Sequence, residues 1–578
     1  MSAPGGSGDV ATLFELSREG RFAEVAERAT VLAAAYPRDV RVHALRAAAC
    51  LELGDVAEAT RSYRRALVLA PHMAKLHNGL GTAHLRAMRL DAARESFAAA
   101  VNRDPGFAPA RFNLGIVAEY LQRWDEATEH YRRVLDSAPG HTGAHTALAN
   151  ALSELGDFDG ALEALDALLR RAPDHVPGHR HRLALLEQSR GGAALPAAIA
   201  EAERALGEHP LVLLYRAVAG QQEAPERARQ RLEAITFDTR DPAGAHDERQ
   251  RLAHLTRLCD SLGDTEAALQ HAADANALSQ RLCAARGIRK ETFLRFVDNR
   301  RRQFAALPAG RPAPDDHETA PGDEAAPVFV VGFPRSGTTL LDAVLRGHPE
   351  LTVVEESDAV AAMVSAMSGA SDERLEARRP LSLREWRRLR DTYYEALARR
   401  AAVDPAAGRV VDRFALNLVY AGEIHRVFPG SRFVLMLRHP ADCVLSCYLQ
   451  TFRDSSANAS FHDLEDAARL YDRVFDLWRV YCEHLPLDVV TVRYEELVDD
   501  LPGVSRRLVD ALGVRWHPSM LDFQRTARER DWIRTASYAQ VTRPLYDDAR
   551  GRWRRYRKVL EPVFDTLRPW IERFGYET

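Results

Sequence analysis

Lysine is almost absent from this chain of 578 residues. It occurs only at Lys75, Lys290 and Lys558, so nearly every cationic site has to use an arginine guanidinium group. The six cysteines form no C-x-x-C pair, no apolar run is long enough for a membrane span, and no secretory signal is visible. The net charge of −4 gives no bulk attraction to nucleic acid or to an anionic membrane. The sequence therefore predicts a cytoplasmic, reduced protein that binds neither.

The first third of the chain repeats itself. Prolines recur every 34 residues, at Pro37, Pro71, Pro105, Pro139 and Pro173. Two further positions keep this register, a small one at Ala47, Gly81, Gly115 and Ala149 and a large apolar one at Tyr63, Phe97, Tyr131 and Leu165. Small residues let helices approach closely and proline ends a helix. The pattern resembles the tetratricopeptide repeat, a helix-turn-helix unit, although Met88 and Gln122 replace the turn glycine found at Gly54 and Gly156.

The composition and the residue patterns divide the chain into three segments. Residues 1–305 are predicted to form an α-solenoid, with clear repeats over about 38–173 and degenerate ones after them. Residues 306–327, rich in proline, glycine and acidic side chains, are predicted to be a linker. In residues 328–578, β-branched runs such as "VFVVG", "RVVDR", "RFVLMLR" and "DVVTVRY" alternate with helical stretches, which predicts a P-loop-like α/β domain with a mainly parallel sheet.

The stretch "VFVVGFPRSGTTLL" at 328–341 has the glycine frame of a nucleotide-binding P-loop, but Thr338 stands in the place of the lysine. That lysine serves the outer phosphates of a triphosphate, so its loss argues against ATP or GTP. Backbone N–H groups at the start of a helix bind an oxyanion, and Thr338 and Thr339 add hydroxyl donors. Arg335 places a planar guanidinium group inside the loop, which can bind an oxyanion through two hydrogen bonds.

The loop "PRSGTT", followed by "HPEL" and "EE", resembles sulfotransferases that use 3′-phosphoadenosine-5′-phosphosulfate. The most similar groups are the tyrosylprotein sulfotransferases and the bacterial tetratricopeptide-repeat sulfotransferases, and the resemblance covers residues 328 to about 558. No His, Cys or Asp cluster in the sequence has the spacing of metal ligands, so the donor is predicted to bind without a metal. The residues implied to bind the donor are Arg335, Ser336, Gly337, Thr338, Thr339, Arg438, Ser446, Tyr494, Ser537, Gln540, Arg543 and Arg552.

The resemblance also assigns roles. Arg438, at the end of a predicted strand, and Ser446, eight residues later, hold the 3′-phosphate in the family. Glu356 aligns with the general base, and Glu355 is the alternative. Arg413 stands where the family has a lysine, and as a permanent cation it can stabilise the leaving oxygen but cannot donate a proton. Arg335 and Ser537 complete the predicted catalytic set.

Some positions depart from the family pattern. Ala415 replaces a proline near Arg413, and Gln450 replaces an arginine of the animal members. These departures keep open a second hypothesis, in which the repeats are a scaffold and the sulfotransferase-like domain is catalytically weak or inactive. A P-loop kinase would need a cation for the γ-phosphate and Mg²⁺ ligands, and the sequence offers neither.

The acceptor is left open by the sequence. A hydroxyl of a peptide (tyrosine included), a glycan or a small metabolite would suit the predicted reaction. The repeats are predicted to recruit the acceptor, to bind a protein partner or to mediate self-association.

Overall fold

The computed structural model describes residues 6–188, 194–307, 326–368, 381–399, 408–529 and 550–578. The chain divides into two compact units between Leu185 and Leu186. The predicted boundaries at residues 305 and 327 stay predictions, and most of the predicted linker lies outside the described residues. The helices up to the unit boundary are α1 (Gly6–Arg18), α2 (Phe22–Ala35), α3 (Val40–Glu52), α4 (Val56–Leu69), α5 (Ala74–Arg86), α6 (Leu90–Arg103), α7 (Ala108–Tyr120), α8 (Trp124–Ser137), α9 (Thr142–Leu155), α10 (Phe158–Arg171) and α11 (Val176–Gln188), which crosses it.

The repeated prolines close the helical hairpins. Each even-numbered helix from α2 to α10 ends two residues before one of them. The carbonyl oxygen of each proline contacts a nitrogen of the side chain six residues later, at 2.7–3.1 Å. These side chains are His43, His77, Arg111, His145 and His179. Each 34-residue repeat therefore has the same side-chain contact to the segment that joins it to the next repeat.

The small positions lie under the aromatic ones. A Cβ atom added to Gly81 would lie 2.6 Å from the ring of Phe97, and one added to Gly115 would lie 2.4 Å from the ring of Tyr131. Both distances are too short for any side-chain carbon. Glycine at these positions is thus required by the close approach of the two helices of a hairpin.

The hairpin turn keeps its shape without glycine. Gly54 and Gly156 have φ angles of 84° and 88°, and the equivalent Met88 and Gln122 have φ angles of 54° and 57°. All four donate a backbone hydrogen bond to the carbonyl three residues before. Packing of the hairpin therefore imposes the left-handed conformation on two residues that adopt it at a cost.

The second unit adds more helices and a sheet. Its helices before the sheet are α12 (Ala194–Leu206), α13 (Pro210–Ala219), α14 (Pro225–Glu233), α15 (Pro242–Ser261), α16 (Thr265–Ala285) and α17 (Lys290–Ala305). Its strands are β1 (Val328–Gly332), β2 (Leu351–Glu355), β3 (Arg409–Arg413), β4 (Arg432–Leu437) and β5 (Asp488–Arg493). The remaining helices are α18 (Thr338–Arg346), α19 (Ala359–Ser368), α20 (Leu383–Ala398), α21 (Ala421–Val427), α22 (Pro440–Tyr448), α23 (Leu464–His484), α24 (Tyr494–Asp499), α25 (Leu501–Leu512), α26 (Phe523–Glu529) and α27 (Arg557–Arg573).

The strands form one sheet in the order β2-β3-β1-β4-β5, and all neighbouring pairs are parallel. Alternate residues of β1 point to opposite faces: Phe329 and Val331 belong to one hydrophobic core, Val328 and Val330 to the other. Helices cover both faces, as the uninterrupted apolar strands require. The predicted combination of a helical solenoid with a P-loop-like parallel α/β domain is confirmed.

The last helices before the sheet belong to the core of the second unit. Val297 and Phe304 of α17 and Ala272 of α16 lie in the same buried cluster as Phe329 of β1. The ring of Phe304 meets that of Tyr481 edge to face, with 4.8 Å between the centroids. The apolar side chains of α17 are therefore part of the core that covers the sheet.

Candidate functional site

The carboxyl ends of all five strands meet at one edge of the sheet, and each of them leads to a predicted site residue. In open parallel sheets, this edge is where ligands bind. Going across the sheet from β2 to β5, the residues are Glu355 and Glu356, then Arg413, then the loop with Arg335 to Thr339, then Arg438, then Tyr494. The predicted base and its cation thus lie on one side of the loop, and the residues predicted for the 3′-phosphate lie on the other.

The loop after β1 is held in a strained conformation. Gly337, immediately before α18, has a φ angle of 101°, and Arg335 has a φ angle of 70°. A Cβ atom on Gly337 would lie 2.5 Å from the ring of Tyr494, so the ring of Tyr494 rests on the backbone of the loop. Thr338 and Thr339 form the first turn of α18 and are buried. The loop therefore presents a helix N-terminus to the edge of the sheet, as predicted.

Arg335, Arg438 and Ser446 lie together although they come from three elements. The Nε of Arg335 donates a hydrogen bond of 2.9 Å to Oγ of Ser446 on α22. The Nη1 of Arg438 donates one of 3.1 Å to the carbonyl oxygen of Arg335. The Arg438 guanidinium carbon also lies 5.0 Å from the ring centroid of Tyr494. The fold thus brings into contact four residues that the family resemblance had assigned to donor binding.

This cluster suits an anionic group. Within the described residues, the buried Oγ of Ser336, in the middle of the loop, has no hydrogen-bond partner, which leaves a donor for an oxyanion. Two guanidinium groups are present, and the carboxylate of Asp442 lies 3.8 Å from Nη2 of Arg438. Burial opposes the charge of Arg438, but Asp442 and the neighbouring Cys443, Tyr494 and Glu495 together outweigh it and raise the pKa of the guanidinium above its usual value. These residues fit a phosphate-type ligand.

Arg413 lies among three carboxylates. It is 2% exposed. Its Nη2 lies 2.7 Å from Glu355, its Nη1 lies 3.2 Å from Glu356, and its Nε lies 3.6 Å from Asp342 on α18. The Glu356 side chain is 37% exposed, so this carboxylate reaches solvent while it is ion-paired. Arg413 is therefore the direct partner of the predicted base, and its predicted role at the leaving oxygen stays a prediction.

Asp412 is a buried carboxyl group next to this ion-pair cluster. The hydroxyl of Tyr393 donates a hydrogen bond of 3.0 Å to its Oδ2, and Ser357, which follows Glu356, donates one of 3.4 Å. Burial raises the pKa of Asp412 to about 7, although these hydrogen bonds and the neighbouring Arg413 favour its charged form. Asp412 thus connects the segment after Glu356 to β3 and α20 through a group that titrates near neutrality.

Of the predicted site residues nearest the C-terminal end of the chain, the structure describes only Arg552. Ser537, Gln540 and Arg543 lie outside the described residues. Arg552 starts a short 3₁₀ helix, Arg552–Tyr556, and its guanidinium group contacts Asp260 on α15, with 2.8 Å between Nη2 and Oδ2. Its predicted contact with the donor stays a prediction.

Three acidic residues of the site were missed from the sequence: Asp342, Asp412 and Asp442. Each is a single carboxylate with apolar residues within two positions on both sides, in "TTLLDAVL", "RVVDRF" and "HPADCVL". A charge on a buried face has to be paired, and this was the available signal. The partners could not be inferred, because they come from other elements of the fold.

The described part of the chain contains neither a cluster of metal ligands nor a helix suited to span a membrane. Among those residues, no three His, Cys, Asp or Glu side chains are grouped so as to hold a metal ion. Over the same ranges, no helix combines the length and the apolar character needed to cross a membrane. The predicted metal-free binding of the donor stays a prediction.

Known protein families and individual proteins are similar to parts of this chain. The model of the sulfotransferase family matches residues 327–518, and tetratricopeptide-repeat models match residues 77–142 and 121–183. A protein of Aquifex aeolicus with no assigned function is 29% identical over 256 residues, which are 43% of this chain and 33% of that protein. Protein-tyrosine sulfotransferase A of Caenorhabditis elegans is 22% identical over 267 residues, 43% of this chain and 67% of that protein. The match to the Aquifex protein thus spans only a third of that relative's length.

Among solved structures, a thermophilic tetratricopeptide-repeat protein of Thermus thermophilus is 20% identical, with a TM-score of 0.28, and the match covers 31% of this chain and 98% of that one. The family match includes the loop after β1, Arg413, Arg438 and Ser446, and the repeat matches cover hairpins between α5 and α11. The chain combines tetratricopeptide repeats with a domain of the sulfotransferase family.

Proposed function

We propose that the sulfotransferase-family domain transfers a sulfuryl group from 3′-phosphoadenosine-5′-phosphosulfate to a hydroxyl group of an acceptor. The observation that carries the proposal is the contact of Arg335 with Ser446 and Arg438 beside a P-loop without lysine. A site of this kind favours a ligand with a compact phosphate dianion over a triphosphate. When bound, the donor supplies a sulfuryl group attached to a phosphate leaving group.

Glu356 is proposed as the general base. Its carboxylate is paired with Arg413, which orients it, and it is exposed enough to meet an acceptor hydroxyl. Arg413 cannot give up its own proton, so it contributes charge and orientation only. Arg335, within the loop, is proposed to stabilise negative charge on the transferred group.

The acceptor is proposed to be a hydroxyl of a peptide, a glycan or a small molecule. A relative with the name of a protein-tyrosine sulfotransferase makes tyrosine in a peptide one proposed acceptor. The repeats are proposed to recruit the acceptor or a protein partner. A cytoplasmic location stays a prediction from the sequence.

Calorimetric titration tests the donor site. The full chain is titrated with 3′,5′-adenosine bisphosphate, 5′-AMP and ATP, without added metal. We expect the bisphosphate to bind most tightly, and we expect Arg438→Ala to weaken its binding by about tenfold or more, as loss of a charge-assisted bond would. Preference for ATP, or equal binding of 5′-AMP and the bisphosphate, would contradict the proposal.

Arg432→Ala is the matched control. Arg432 is the first residue of the same strand, β4, and pairs with Asp488 at the other end of the sheet. Its loss should leave bisphosphate affinity unchanged. Thermal unfolding of both variants shows whether a loss of bisphosphate affinity comes from a missing contact with the ligand or from a destabilised fold. If the bisphosphate binds but no sulfuryl transfer occurs with any class of acceptor, the scaffold hypothesis gains support.

A further inference from the structure

The helices before the sheet reach the α/β part through ion pairs as well as apolar contacts. Asp454 bridges Arg249 of α15, at 2.7 Å, and Arg286, at 3.1 Å. Arg300 of α17 pairs with Glu423 of α21 at 2.7 Å, and both are almost fully buried. Because these contacts fix α15, α17 and the C-terminal end of α16 on the α/β part, a side chain on α15 can define a position in the site.

Asp260 lies in the last turn of α15 and faces the 3₁₀ helix Arg552–Tyr556. Its Oδ2 lies 2.8 Å from Nη2 of Arg552, and its Oδ1 lies 3.2 Å from Nε of the same guanidinium group. Its Oδ1 also accepts a hydrogen bond of 2.7 Å from the hydroxyl of Tyr556 and lies 3.5 Å from Arg555. The Asp260 side chain is 15% exposed. One carboxylate thus holds two arginines and a tyrosine.

The placement of Asp260 is unfavourable for the helix that carries it. The C-terminal end of a helix has a partial negative charge, and a carboxylate in the last turn is destabilising there. The contacts with Arg552, Arg555 and Tyr556 compensate for this repulsion only when the 3₁₀ helix is in place. Two guanidinium groups against one carboxylate also leave one positive charge for a further anion.

The backbone around Arg552 is held by a second carboxylate, that of Asp442. The N–H groups of Gly551 and Trp553, on either side of it, donate hydrogen bonds of 3.0 and 2.8 Å to the carboxylate of Asp442. The same carboxylate lies 3.8 Å from Nη2 of Arg438, which contacts the carbonyl oxygen of Arg335 in the loop. A continuous series of contacts therefore runs from α15 through Arg552 and Asp442 to the loop.

We propose that Asp260 is a positioning residue for the 3′-phosphate of the donor: it holds the Nε and Nη2 atoms of the Arg552 guanidinium group and so orients the other edge of that group toward an oxygen of the phosphate. A guanidinium group has two edges that can each bind an oxyanion pair, so a carboxylate on one leaves the other to a ligand. This inference rests on the proposed function, since the phosphate in question is the 3′-phosphate of the donor. It makes the helical part of the second unit a contributor to donor affinity.

Asp260→Asn tests the inference in the full chain. The asparagine keeps the size of the side chain and removes the charge that orients Arg552. We expect the affinity for 3′,5′-adenosine bisphosphate to fall about tenfold, the affinity for 5′-AMP to stay unchanged, and Asp260→Glu to restore part of the loss. Combined with Arg552→Ala, the asparagine variant should cause no further loss, because both changes remove the same contact.

Asp476→Asn is the matched control, since Asp476 also contacts two arginines, Arg301 of α17 and Arg479, and links α17 rather than α15 to the α/β part. It should lower the thermal midpoint without changing bisphosphate affinity. Unchanged bisphosphate affinity in Asp260→Asn, or an equal loss in Asp476→Asn, would overturn the inference. Failure of the unaltered protein to bind the bisphosphate would instead overturn the proposed function, and the positioning role with it.

Discussion

Glu356 and Arg413 are joined twice, by side chain and by backbone. The Oε1 of Glu356 lies 3.2 Å from Nη1 of Arg413, and the N–H of Glu356 donates a hydrogen bond of 2.9 Å to the carbonyl oxygen of Arg413. The φ angle of Glu356 is 46°, a conformation that a glutamate adopts only where its surroundings impose it. Backbone strain at a carboxylate on the ligand-binding edge of the sheet is typical of a functional residue.

Glu356→Gln should abolish transfer and preserve donor binding. The amide keeps the size of the side chain but cannot accept a proton, so the rate of sulfuryl transfer should fall by about 10²–10⁴-fold. Glu355→Gln is the matched control, because Glu355 contacts the same guanidinium group at 2.7 Å. Transfer rates and bisphosphate affinity are measured for both variants. A rate in Glu356→Gln close to that of the unaltered protein would exclude Glu356 as the base.

Ser446→Ala should weaken donor binding and leave stability nearly unchanged. The hydroxyl of Ser446 accepts the hydrogen bond that orients Arg335, and its loss should reduce bisphosphate affinity by about tenfold. Ser505→Ala is a suitable control, since Ser505 is also buried and accepts a hydrogen bond of 3.1 Å from Nε1 of Trp516, away from the loop. Equal affinities of the two variants, measured by titration, would argue against a role of Ser446 in the site.

Asp412 should make folding stability depend on pH. Burial raises its pKa in the folded protein to about 7, above that of the unfolded chain, so the folded state binds the proton more tightly. The stabilising effect is complete at pH values below about 4, the ordinary pKa of an aspartate, and is lost as the pH rises through 7. Asp412→Asn should remove this dependence.

Thermal unfolding between pH 5 and pH 8 checks the prediction. The midpoint of the unaltered protein should fall more steeply over this range than that of Asp412→Asn. Asp565→Asn, at a side chain that is almost fully exposed, should follow the unaltered protein. Parallel curves for the unaltered protein and Asp412→Asn would show that Asp412 does not titrate there.

Breaking the ion pair between Arg300 and Glu423 should destabilise the second unit strongly. Glu423→Ala leaves a buried guanidinium group without its carboxylate, which costs about 3–5 kcal/mol in the free energy of unfolding. Replacement of both residues, as Arg300→Met with Glu423→Leu, should recover most of that loss. Denaturant unfolding followed by fluorescence measures the effect.

The more exposed pair of Asp298 and Arg473, between α17 and α23, provides the comparison. These side chains are 2.9 Å apart, and Arg473→Ala should cost less than about 1 kcal/mol. If Glu423→Ala cost no more than Arg473→Ala, the contact of α17 with the α/β part would not depend on its buried charges.

Local patterns in the sequence predicted much of this fold. The run "VFVVG" is β1 and "RVVDR" is β3, residue for residue, because apolar β-branched runs between helical stretches are typical of parallel strands. The 34-residue spacing likewise predicted the hairpins, whose helices are set by contacts within a few tens of residues. The strand β2, with threonine and glutamate in "LTVVE", was not predicted, since its pattern is weaker.

Long-range pairs could not be predicted in the same way. Asp260 and Arg552 are separated by almost 300 residues, and Arg413 meets Asp342 only because β3 lies beside β1 in the sheet. An acidic residue in the first turn of a helix, such as Asp442 in α22, is ordinarily explained by the helix dipole. Its contacts with Gly551 and Trp553 appear only once the chain is folded.

The packing of α17 has a consequence for the order in which the chain is made. Phe304 leaves the ribosome long before Tyr481, against which its ring packs. At about 5–20 residues per second, roughly 10–40 s of translation separate the two. During that interval, the apolar side of α17 cannot complete its packing, so its contact with the α/β part forms fully only after α23 has been synthesised.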